Sequence, residues 1–232
     1  VQMKRSPTIP GKIVSVNGHD LHVFADGHGA DTLVFMAGSG TVCPVLDFKP
    51  LWSLLNDRYR IAVIDKSGYG WSEPTDNSRD VDTMLHESRE ALRLAGLKAP
   101  YILVPHSMSS LEALYWAQTY PDEVKAIVGL DAIVPDAYDK FKAPSDALFN
   151  IIGFFIRIGL HRPFARLLYK QMPIAQSGRL NQPDSFTYVE MVKKSMFTSD
   201  MRNEGRYLIR NKDKVKNGVL SVNTSFLLFI SN

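Results

Sequence analysis

Ser107 stands in Tyr101-Ile-Leu-Val-Pro-His-Ser-Met-Ser-Ser110, which reads as an apolar strand, a sharp turn and then the helical pattern of Leu111 to Tyr120. A strand, turn and helix in that order lift a serine hydroxyl above a sheet. They also aim a helix N-terminus at any negative charge that develops beside it. The chemistry this suits is nucleophilic attack on an acyl carbonyl, with the backbone N–H of Met108 as one donor to the resulting oxyanion. A glycine-rich stretch, Met36-Ala-Gly-Ser-Gly-Thr41, follows an earlier apolar strand.

A serine nucleophile needs a base and usually a carboxylate to orient that base. Asp131 closes the apolar run Ile127-Val-Gly-Leu130 and has two readings: a catalytic acid, or a turn cap ahead of Pro135. The six histidines are His19, His22, His28, His86, His106 and His161. His106 adjoins the nucleophile and cannot face the same site, so it reads as packing. His161 could face a pocket, or be a solvated or packing residue. Asp65, followed by Gly68 and Gly70, reads as the brace of a turn. Cys43, the single cysteine, reads as a small buried hydrophobe rather than a nucleophile.

The elements that must position these residues follow from periodicity. Short runs rich in β-branched residues predict seven strands, at Lys12–Val16, Leu21–Ala25, Thr32–Met36, Arg60–Asp65, Tyr101–Pro105, Ala126–Asp131 and Ser225–Ile230. Asn17-Gly18 signals a hairpin between the first two. Later strands are separated by helical patterns, at Asp82–Ala95 and Ser110–Thr119, as parallel strands require. The fully apolar Leu33-Val-Phe35 and Ile61-Ala-Val-Ile64 suit strands covered on both faces. The fold class is therefore α/β, doubly wound, with a mostly parallel central sheet and helices on both faces. Pro135 to Gly218 carries helical patterns at Ala147–Met172 and Phe186–Arg210 and no convincing strand. It reads as an inserted helical cap (135–218) on a core made of 1–134 and 219–232.

The sequence around Ser107, Pro105-His-Ser-Met-Ser109, resembles the G-x-S-x-G nucleophile elbow of the α/β-hydrolase superfamily, with both glycines replaced. Three further stretches resemble the family in the proper order. Met36 to Thr41 is similar to its His-Gly-x oxyanion loop, with Ala37 in place of the histidine, and the resemblance implies a second backbone oxyanion donor at Ser39, so that the shape of the Gly38–Thr41 loop matters more than its side chains. Asp65-Lys-Ser-Gly-Tyr-Gly-Trp-Ser72 is similar to its D-x-x-G-x-G-x-S turn, and Tyr120-Pro-Asp-Glu-Val124 to its Y-P-x-x-V entry into strand six. The resemblance spans about Lys12 to Asp131. It implies an α/β-hydrolase fold and a serine hydrolase of the esterase or proline-iminopeptidase-like branch. Epoxide hydrolases and haloalkane dehalogenases also resemble the chain but need an aspartate where Ser107 stands.

The resemblance also implies a triad histidine after an eighth strand and, in most members, an acid after strand seven. The sequence ends at Phe229-Ile-Ser-Asn232, so the expectation is of a C-terminally incomplete chain, inactive by itself, whose last strand and histidine loop are absent. Val1 in place of methionine likewise implies an upstream segment and leaves localisation undecided. A formal net charge of +3 is too small and too evenly spread for a nucleic-acid footprint, and there is no Cys/His cluster for a metal. No cofactor is implied. The eight Lys or Arg between Lys193 and Lys216 read first as a solvated helix face. The expected partner is a small to medium, apolar ester or amide substrate, with Phe149, Phe154, Phe155, Ile156, Phe164 and Leu167 as candidate pocket lining. The competing reading is a ligand receptor that keeps the pocket without turnover.

Overall fold

Asn17 and Gly18 both adopt positive φ, 50° and 82°, the backbone that a two-residue turn needs to match the twist of a hairpin. They join β1 (Lys12–Val16) to β2 (His19–Asp26), which pair antiparallel with Val16 opposite His19. The computed structural model describes residues 9–140, 146–220 and 224–230. Among them the remaining strands are β3 (Thr32–Met36), β4 (Arg60–Asp65), β5 (Tyr101–Pro105), β6 (Val124–Leu130) and β7 (Ser225–Phe229). The sheet order is β1-β2-β4-β3-β5-β6-β7, and every pair from β4 to β7 is parallel. The expected hairpin followed by a parallel, doubly wound sheet is what the chain forms. Three strands differ in extent: β2 runs from His19 to Asp26, β7 ends at Phe229, and β6 begins at Val124 and stops at Leu130 because Asp131 turns away with a φ of 46°.

The helices lie on both faces. On one face, α3 (Val81–Ala95) and α4 (Ser110–Thr119) cover the sheet through Leu85, Leu92 and Trp116, packed with Val34, Ala62 and Leu103. The Asp80 side chain caps α3 by accepting the Thr83 N–H, and Gly96 at a φ of 87° ends the helix. On the other face, α1 (Pro44–Asp47) and α2 (Lys49–Trp52), two single turns that begin near prolines, bury Val45, Leu46 and Trp52 over Phe35 and Val63.

The long helical segment is more broken than its pattern predicts. The Ala147–Met172 pattern divides into α5 (Asp146–Arg157) and α6 (Ala165–Lys170), interrupted by Gly159 at a φ of 78° and by Pro163. A single turn, α7 (Pro173–Gln176), follows. The Phe186–Arg210 pattern divides into α8 (Gln182–Ser195) and α9 (Ser199–Lys216), separated at Phe197, whose φ is 53°. Ala165, Ile174, Tyr188 and Val192 join the same apolar cluster as α1 and α2, so α6 to α8 share their core with the sheet. β7 pairs with β6 on one side, and its Phe226, Leu227, Leu228 and Phe229 are exposed.

Candidate active site

Ser107 takes a φ of 54°, a backbone that a non-glycine residue adopts only where the surroundings enforce it. The enforcement is visible. Pro105 ends β5 beside Met36, the Met36 carbonyl accepts the His106 N–H at 3.0 Å, and the Ser109 hydroxyl donates to that carbonyl at 2.7 Å. Ser109 Oγ also accepts the His106 N–H at 2.9 Å, and Ser110 Oγ donates to the Ser107 carbonyl at 2.6 Å. The second glycine of the elbow signature is thus replaced by a serine whose hydroxyl ties the turn to β3. One turn of 3₁₀ helix, Ser107–Ser109, leads into α4, whose N-terminal dipole favours negative charge at Ser107.

The loop after β3 lies directly against this turn. A Cβ added at Gly38 would stand 2.9 Å from the His106 carbonyl oxygen and 3.0 Å from Ser107 Cβ, so no residue but glycine lets the loop approach so closely. Thr41 N–H closes the loop on the Gly38 carbonyl at 3.4 Å. Neither the Met108 nor the Ser39 amide donates to another backbone carbonyl among the described residues. Asp131, just past the end of the strand next to β5, reaches the same end of the sheet: a parallel bridge joins His106 to Leu130, and the Asp131 amide donates to the Phe229 carbonyl at 2.8 Å. Burial lowers the His106 pKa and the nearby Asp131 charge partly opposes it. Ser39, Ser107, Met108 and Asp131 therefore gather beyond the C-terminal ends of parallel strands, where open α/β sheets place ligands.

The histidines go elsewhere. His22 is fully buried, bonded to Asp65 Oδ2 at 2.8 Å and stacked near Trp71. Burial lowers its pKa, but the bond and charge of Asp65 outweigh that and the net direction is up. His19 meets Ser67 Oγ at 2.9 Å, His106 packs edge-on to Phe48, and His161 faces the Lys193 carbonyl at 3.2 Å. No described residue hydrogen-bonds Ser107 Oγ. Asp65 braces its turn, accepting the Trp71 N–H at 3.0 Å. Cys43 is buried, and burial pushes its thiol pKa well up, away from nucleophilic use.

Three residues escaped the sequence reading. Lys66, Tyr69 and Glu204 are buried together behind the Gly38–Thr41 loop, with Glu204 Oε2 accepting from Lys66 Nζ and from the Tyr69 hydroxyl, both at 2.9 Å. Burial and Glu204 hold the Tyr69 phenol strongly protonated, while Ser39 and Gly40 of the loop pull the other way. Glu204 looked like one acid in a basic helix, because its partners lie more than 130 residues away. Beside it, Arg79 is fully buried against Glu87 at 2.7 Å and Asp200 at 3.9 Å.

A cleft of about 400 Å³ borders the elbow through Pro105 and Ser110 and is walled by Leu114, Ile127, Ile133 and Phe226. Phe154, Phe155, Ile156, Phe164 and Leu167, expected to line a pocket, are not in it. All but Ile156 are exposed; on α5 the face that meets α9 is the one bearing Gly153, where an added Cβ would stand 2.8 Å from the Arg202 guanidinium carbon. The Phe149 side chain lies outside the described residues.

The parallel sheet, the strained serine and the glycine loop against it define one class, and the chain belongs to the α/β-hydrolase fold family, which its residues 36–155 match. An uncharacterised Bacillus subtilis protein, YbdG, is 40% identical over 209 residues, or 89% of this chain and 64% of the relative. The chain thus spans a little under two thirds of that relative's length. The 2-(acetamidomethylene)succinate hydrolase of Mesorhizobium japonicum is 27% identical over 43% of this chain and 37% of its own. Among solved structures, epoxide hydrolase VrEH1 from Vigna radiata superposes with a TM-score of 0.67 at 19% identity, covering 94% of this chain and 78% of that one. At that identity the likeness is one of fold.

Proposed function

We propose that the protein is a serine hydrolase that cleaves an ester or amide of a small to medium apolar substrate through an acyl-enzyme on Ser107. The observation that carries this reading is the positive φ of Ser107 beneath a loop that only Gly38 allows to come so near. Ser107 Oγ attacks the acyl carbonyl, the Met108 and Ser39 amides hold the oxyanion, and the alcohol or amine leaves before water releases the acid. Asp131 is the carboxylate that orients the general base. The general base is a histidine, and none of the six among the described residues hydrogen-bonds Ser107 Oγ. The apolar cleft beside the elbow supports an apolar substrate, and the helices between residues 135 and 218 act as its cap. The relative named as a hydrolase supports hydrolysis as the reaction class.

A second reading, a binding protein without turnover, is favoured by that same lack of a histidine at Ser107. A fluorophosphonate probe separates the two. The intact protein is expected to label at Ser107 and Ser107→Ala to stay unlabelled; a folded, intact protein that takes no label fits the binding protein instead. Nitrophenyl esters of rising acyl length then rank the substrate class.

A further inference from the structure

The segment from Ala147 to Pro183 contains five Lys or Arg (157, 162, 166, 170 and 179) and no Asp or Glu. None of the five enters an ion pair among the described residues. The cations of α9 differ: Lys212, Lys214 and Lys216 meet Asp139, Asp82 and Asp136. The same segment holds a cluster of large exposed apolar side chains. Ile151, Phe154, Phe155, Ile158, Phe164 and Leu167 are each between 46% and 60% exposed.

Helical spacing places Ile151, Phe154 and Phe155 on one face of α5, with Ile158 in the turn just past its end, its N–H on the Phe154 carbonyl. The opposite face packs on α9, where Gly153 is buried against Arg202 and Asn150 accepts from Arg206 at 2.8 Å. The apolar face therefore points away from the rest of the protein. In α6, Ala165 is buried inward while Arg166, Leu167 and Lys170 are exposed together, so cations flank the apolar side chains. No described helix is long and apolar enough to cross a membrane, which leaves a surface mode of contact.

We infer that α5 and α6 form a docking surface for an anionic phospholipid bilayer. Phenylalanine, isoleucine and leucine side chains enter the boundary between headgroups and acyl chains, and the unpaired arginines and lysine meet lipid phosphates at its rim. A face that is apolar at its centre and cationic at its edge matches such a surface in both respects, and Glu190, the carboxylate beside Arg162, Arg166 and Lys170, is itself paired with Lys193. A second copy of the chain fits it poorly, because a two-fold contact would set these cations against one another.

The test is flotation of the intact protein with phosphatidylglycerol-containing vesicles against pure phosphatidylcholine vesicles, at low and high salt. Partition into the anionic vesicles is expected, weakening with salt. The double substitution Arg166→Gln with Lys170→Gln is expected to reduce it roughly 25-fold, at about fivefold per cation. Phe154→Ser with Phe155→Ser is expected to abolish it while circular dichroism stays unchanged, since both rings are exposed. Should the phenylalanine variant unfold, the arginine and lysine variant alone decides. Absence of partition, equal partition into neutral vesicles, or self-association on sedimentation that the same substitutions remove would each overturn the inference. None of these readouts depends on Ser107, so the docking surface and the proposed chemistry fail separately.

Discussion

Replacing Gly38 by alanine tests the proposed oxyanion hole at its tightest point. The added methyl would stand 2.9 Å from the His106 carbonyl oxygen, 3.0 Å from Ser107 Cβ and 3.1 Å from His106 Nδ1. Comfortable contact for a carbon begins near about 3.5 Å, so something must retreat by roughly half an ångström. β3 is paired on both sides by β4 and β5, and the elbow is tied by the Ser109 and Ser110 hydroxyls, so the loop gives way. That displaces the Ser39 amide from the position it holds for the oxyanion. Losing a donor outright costs on the order of a hundredfold or more in turnover, and a misplacement of about 1 Å costs a similar factor. A half-ångström shift is therefore expected to lower kcat by roughly 10- to 100-fold with KM almost unchanged. Overpacking adds a stability loss of about 1–3 kcal/mol, which a thermal melt reads separately. Steady-state hydrolysis of a short-chain nitrophenyl ester by the intact protein is the assay. A folded Gly38→Ala protein with kcat within about twofold of the parent would refute the placement of the oxyanion donor at this loop.

Relief of strain at the nucleophile gives a second expectation: Ser107→Gly, free of the Cβ penalty at a φ of 54°, should melt higher than Ser107→Ala by about 1 kcal/mol equivalent, and equal melting temperatures would argue that no strain is stored there. A third concerns Asp47, whose carboxyl is raised to about 7 by burial even though the Tyr188 hydroxyl, at 2.9 Å, and the Cys43 amide pull it down. The folded protein binds this proton more tightly than the unfolded chain, so the stabilisation is full below pH about 4 and is lost as pH rises through about 7. Asp47→Asn is expected to flatten the melting-temperature profile across that interval, and an unchanged slope in the variant would remove Asp47 as its source.

Much of this architecture is written locally in the chain. Alternating and fully apolar runs, Asn17-Gly18 at the hairpin and the small residues around Ser107 each report a backbone requirement that neighbours a few positions away impose. The site residues after β3, β5 and β6 were legible for that reason: each sits at the end of a strand whose pattern is strong. What escaped depends on distant contacts. α1 and α2 are single turns carrying Pro44 and Pro50, too short to show a period. The breaks at Gly159 and Phe197 lie inside apolar stretches that still repeat like helix. Asp200 and Glu204 resemble the solvated acids of a basic helix, and only the fold brings Arg79 and Lys66 to them.

The turn from Lys66 to Ser72 touches the end of the loop after β3 on one side and the helical segment on the other. Gly70 N–H donates to the Val42 carbonyl at 3.1 Å, while the Gly70 carbonyl accepts from Ser195 Oγ at 2.9 Å and Tyr69 reaches Glu204. A Cβ at Gly68 would stand 2.7 Å from both Asp200 Oδ2 and Thr198 Oγ1. For protein engineering this makes the helices from α8 to α9 a poor module to exchange. A graft taken from a relative without these acids would strand Lys66 without its counter-charge in the interior and leave Arg79 with Glu87 alone, and a broken buried pair costs several kcal/mol. Such a transplant would have to carry residues 66–79 with it, so the turn and the helices form one unit of exchange, each holding the other's buried charges.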